Sequence, residues 1–145
     1  METKIKHETA PNNILEPFIG EKLKAIIVSV KYNPTYGNAE VQLAVKVGDR
    51  YTMILDRLAS YLHPKLLAAK QRSYLTAFGY NVNKLAKNAP ISDILYRAWH
   101  AQHGKYVHCV DVVPGRAKGG WYFVYTKAAR RIPVESLNQT EMNLE

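Results

Sequence analysis

Cysteine is almost missing from this chain of 145 residues: Cys109 stands alone. That excludes an intrachain disulfide and suits a reducing compartment. No window approaches eighteen consecutive apolar residues, so no transmembrane helix is expected. The opening residues, Met1 to Glu8, lack the apolar stretch of a secretory signal, and a cytoplasmic location is the expectation. Catalytic signatures are missing too, with no Gly-x-Ser-x-Gly elbow, no His-Glu-x-x-His and no zinc-deaminase pattern. Asp49, Asp56, Asp93 and Asp111 are too scattered to read as the carboxylate pair of two-metal chemistry. No cofactor or metal is implied and an enzyme is not expected; a nuclease built from distant residues is the catalytic alternative.

Acids are scarce where bases gather. From Lys105 to Arg131 six basic residues face one acid, Asp111, and beyond Arg131 only Glu135, Glu141 and Glu145 are charged. Over the whole chain 20 basic against 12 acidic residues give a net charge of +8. An excess of this size favours a polyanionic partner through its summed field and the release of counterions.

What the chain does have is period-two hydrophobicity. Ala39, Val41, Leu43, Val45 and Val47 alternate with Glu40, Gln42, Ala44 and Lys46, the pattern of a half-buried strand. Ile26, Val28, Val30 and Tyr32 suggest a preceding strand, and Tyr51–Leu55 a following one, joined by turns at Asn33–Asn38 and Gly48-Asp49. Residues 1–20 read as an arm that Ile14, Leu15 and Phe18 could dock. Asp56 to Tyr80 reads as helical, restarting at His63-Pro64 with Leu67, Tyr74, Leu75 and Phe78 on one stripe and Gly79 as its cap. A second helix runs from about Pro90 to Gly104, with Ile91, Ile94, Leu95, Ala98 and Trp99 inward. Tyr106–Val113 and Trp121–Thr126 complete five strands, around a basic, glycine-rich loop that could approach phosphates but lacks the Lys-Ser/Thr of a Walker loop.

Three strands, a helical insertion and two more strands is the order of an OB-fold barrel. The expected class is therefore mainly β with helices inserted between strands 3 and 4. The domain would span residues 21–131, with the insertion at 56–104 and an acidic tail at 132–145. A mixed α+β sheet with helices on one face is the structural alternative. In the arrangement of Asp56-Arg57-Leu58, His63-Pro64-Lys65, Leu75-Thr-Ala-Phe-Gly79, Gly104-Lys105 and a last hairpin into Tyr122, the chain resembles the small OB-fold single-stranded DNA-binding proteins of bacteriophages. The resemblance implies DNA replication or recombination as the setting. It also implies that the acidic tail meets a replication or host protein.

Ten tyrosines and two tryptophans beside three phenylalanines fit surfaces on which bases stack, since these rings pair a flat face with a polar tip. Candidate stacking residues are Tyr32, Tyr36, Tyr51, Tyr106, Trp121 and Tyr122. Candidate phosphate contacts are Lys24, Lys31, Lys46, Arg50, Lys105, Arg116, Lys118, Arg130 and Arg131. Phe123 and Tyr125 are expected in the core, with Trp121 on the same strand face, and Cys109 is expected there as a small hydrophobe. His100, His103, His108 and Cys109 do not suggest zinc, because His108 and Cys109 point to opposite strand faces. The expected partner is single-stranded DNA, or RNA, bound with little sequence preference. The rival is a small protein-interaction module that inhibits a host or defence protein.

Overall fold

Alternation along the strands creates a sheet with one apolar face. In a computed structural model, which describes residues 12–59, 62–116, 118–119 and 122–136, five antiparallel strands form that sheet. They are β1 (Leu23–Asn33), β2 (Asn38–Val47), β3 (Arg50–Arg57), β4 (Tyr106–Arg116) and β5 (Tyr122–Pro133), in the spatial order β3-β2-β1-β4-β5. With a short turn α1 (Asn12–Leu15) and the helices α2 (Pro64–Ala77) and α3 (Ile91–Gln102), the fold is mainly β with an α+β composition. The expected barrel closure is not formed: β3 and β5 stand at the two edges of the sheet.

The inner face carries Ala25, Ile27 and Val30 of β1, the five alternating apolar residues of β2, and Val110, Val112 and Val124. Helix α3 packs on β1 and β2 through buried Leu95 and Ala98, while α2 packs on β5 through Tyr74, Leu75 and Ala77. Leu15 is only 2% exposed and Phe18 joins the same core, so these two dock the arm while Ile14 stays outside. The outer face is not covered by either helix.

Three elements differ from expectation for local reasons. A bulge at Val28 shifts the β1–β2 register between Ile27 and Ser29, so Ala25 and Ile27 point inward and Ile26 outward. Asp56 belongs to β3, not to a helix; α2 begins at Pro64, capped by His63, whose Nδ1 accepts from the Lys65 amide at 3.1 Å. Strands β4 and β5 run past Val113 and Thr126, through a bulge that sets Lys127 and Ala128 against Asp111. At the far end of α2 the Gly79 amide bonds Thr76 O and the Tyr80 amide bonds Leu75 O. Gly79 has φ +87°, which makes this a Schellman cap.

An open sheet edge would leave backbone groups unpaired, and α2 covers the one on β5. Lys70, 1% exposed, donates to Val124 O at 2.8 Å and to Asp56 Oδ1 of β3 at 2.6 Å. Tyr74 Oη donates to the other Asp56 oxygen, and Ser73 Oγ to Lys127 O at 2.9 Å. Burial, followed by the Asp56 carboxylate, pushes the Tyr74 phenol well above its ordinary range, which keeps it a donor. One buried lysine thus bridges the two edges that do not pair.

Candidate nucleic-acid interface

The outer face is where alternation leaves polar and aromatic side chains. Lys46 and Tyr51 are directly opposite on β2 and β3, with the Lys46 ammonium 5.4 Å from the centre of the Tyr51 ring. Lys24 stands opposite Asp111, Ile26 opposite Cys109, and Cys109 opposite Arg130. Because these ladders run side by side, Lys24, Ile26, Tyr51, Cys109, Asp111 and Arg130 line a hollow of about 150 Å³. Four of the fifteen residues proposed from sequence, Lys24, Lys46, Tyr51 and Arg130, therefore meet on one surface.

That surface continues along β5. Phe123 and Tyr125 pack edge to face with ring centres 4.8 Å apart, and Lys127 Nζ lies 5.8 Å from the Tyr125 ring. They lie across Gly115, where a Cβ would meet the Phe123 ring at 2.9 Å. The expectation that Phe123 and Tyr125 fill the core is corrected: Val124 and Thr126 point inward, and Tyr125 is 43% exposed. Cys109 is likewise half-buried on the outer face, whereas His108, Val110 and Val112 point inward. Reading the period of two one residue out of step inverted this assignment. Burial pushes the Cys109 thiol up, against Arg130 and Lys24, which draw it down; Asp111 adds to the rise.

The other candidates lie away from this hollow. Lys31 shares the outer face beside the Arg57–Glu40 ion pair. Tyr32 approaches Tyr96 of α3 at 6.4 Å, and Tyr36 in the β1–β2 turn is 74% exposed. Arg50 is exposed at the β2–β3 turn, Lys105 after α3 and Lys118 between β4 and β5. Arg116 pairs with Glu16 at 3.6 Å. Arg131 is built into the fold, its guanidinium 4.1 Å from the Tyr106 ring and an Nη donating to Phe78 O at 3.4 Å. Tyr106 is engaged by that stack. Trp121 and the Tyr122 side chain lie outside the described residues, as do residues 1–11 of the arm and 137–145 of the acidic tail.

On the helix side of the sheet, His108 is buried against Phe78 and Trp99. Gln102 Nε2 donates to Phe78 O at 3.0 Å, which leaves its Oε1 to accept from His108 Nε2 at 2.9 Å. Burial, assisted by Arg131, lowers the imidazole to about 4, so it is neutral at pH 7. Among the described residues no three His, Cys, Asp or Glu side chains gather where they could hold a metal ion. No helix of the described residues is long and apolar enough to cross a membrane. Comparison with protein-family models, curated proteins and solved structures found no match to this chain.

Proposed function

We propose that the chain binds single-stranded nucleic acid, DNA in the first instance, across the outer face of its sheet. In this reading the sheet is an OB-like barrel left open between β3 and β5, with α2 lodged along that seam. The observation that carries it is the joining of Lys24, Lys46, Lys127 and Arg130 with the rings of Tyr51 and Tyr125 on the face opposite the helices. Cations that follow a phosphate backbone beside flat rings are the two ingredients of single-strand binding, and the combination tolerates any sequence because every base has a π face. The role is binding rather than catalysis, in replication or recombination, and a mobile-element setting follows from the resemblance to phage proteins.

A titration of fluorescent oligonucleotide by anisotropy tests this. Tyr51→Ala and Tyr125→Ala should each weaken binding by roughly 1–3 kcal/mol. Both rings are more than a third exposed, so the thermal midpoint should move little. Absence of binding at low salt would favour the rival role, docking onto an acidic host or defence protein.

A further inference from the structure

The hollow on the outer face is more selective in its chemistry than a stacking platform requires. We propose that it is a subsite for one unpaired cytosine, whose exocyclic amine is received by Asp111 while Lys24 and Arg130 hold the flanking phosphates. The proposal rests on the single-strand-binding reading and adds a base preference to it.

Size comes first. A cavity of about 150 Å³ is what one six-membered ring fills, as an engineered cavity of that volume does with benzene. A single pyrimidine ring fits that description. The floor suits a ring face: Ile26 and Cys109 lie side by side across the β1–β4 ladder, and the thiol is held in its neutral, apolar form. Tyr51, 40% exposed, forms one wall and offers its ring for stacking.

The edge decides which pyrimidine. Asp111 is half-buried at the rim, opposite Lys24 and beside the β5 bulge, which sets Lys127 and Ala128 against it. An ionised carboxylate only accepts hydrogen bonds. Cytosine presents an amine donor at the position where thymine presents a carbonyl acceptor. At that position the carboxylate accepts from the cytosine amine and is opposed by the thymine or uracil carbonyl, so cytosine is the favoured pyrimidine. Among the described residues Asp111 is the one acid that lines this hollow, beside Lys24 and Arg130, where a phosphate-binding role alone would disfavour it.

The test compares oligodeoxycytidylate with oligothymidylate of equal length at neutral pH, using the full chain. Affinity should favour cytosine by about tenfold for each occupied subsite. Saturation with oligodeoxycytidylate should also slow modification of Cys109, the single thiol, by a maleimide. Asp111→Asn should bring the affinities for the two oligonucleotides together. Equal affinities in the wild type, with unchanged Cys109 reactivity at saturation, would overturn the cytosine subsite and leave single-strand binding standing. Preference persisting in Asp111→Asn would overturn the role of the carboxylate. No binding of either oligonucleotide at low salt would overturn both readings together.

Discussion

Replacing Lys70 by methionine tests how the open sheet is held. The substitution keeps most of the apolar stem of the side chain and removes the charged ammonium with its donors. Asp56, 7% exposed, then keeps the Tyr74 hydroxyl but loses the ammonium at 2.6 Å, and Val124 O loses its 2.8 Å donor. Removing one partner of a buried pair typically costs about 3–5 kcal/mol, because the other charge remains in a poorly solvated site. For a chain of this length each kcal/mol moves the midpoint by roughly 2–4 °C, so a fall of about 10 °C is expected. Thermal unfolding followed by circular dichroism measures the fall in midpoint, and urea unfolding the free energy. Adding Asp56→Leu and Tyr74→Phe replaces the whole network with apolar groups, and most of the loss should be recovered. A Lys70→Met protein within about 1 kcal/mol of the wild type would refute the claim that this lysine bridges the seam.

Two further outcomes follow from buried groups and backbone. His108 is lowered from 6.5 to about 4 in the folded chain, so between those values the unfolded state binds more protons and stability falls as pH falls. The full effect is roughly 3 kcal/mol. Urea melts of the wild type and His108→Gln across that range should converge as the pH drops, and parallel curves would contradict the assignment. Gly79→Ala forces a side chain into φ +87° and sets a Cβ 2.6 Å from the Arg131 guanidinium carbon. A loss of at least about 1–2 kcal/mol in thermal or urea unfolding is expected, and none would mean that the cap and Arg131 relax freely.

Much of this fold could be read from residue order, and the misreadings have identifiable causes. Strand β2 alternates strictly and was readable residue by residue, as were the apolar faces of α2 and α3. In β1 the extra residue at Val28 breaks the period, so counting through it placed Ile26 inside when it faces out. In β4 both parities carry apolar residues; Val107, Cys109 and Val113 looked as credible a core as Val110 and Val112. Tertiary packing, in which His108 takes an inner place against Phe78, decides between them. That choice moved Cys109, Phe123 and Tyr125 to the outer face, which no local pattern announced. Lys70 was equally hidden, because a lysine on an amphipathic helix is ordinarily solvated and only the opposing edges of β3 and β5 bury this one. Within the candidate site, Lys24, Lys46, Tyr51 and Arg130 were legible as basic and aromatic strand residues. Their meeting with Asp111 depends on cross-strand register, which sequence leaves open.

The salt dependence of oligonucleotide affinity tests the outer-face account most directly. With Lys24, Lys46, Lys127 and Arg130 each neutralising one phosphate, log K against log salt should fall with a slope of about −3. Pairing Lys46→Ala with Arg130→Ala should reduce that slope to roughly half. A wild-type affinity indifferent to salt, or a slope unchanged in the double variant, would contradict binding across this face.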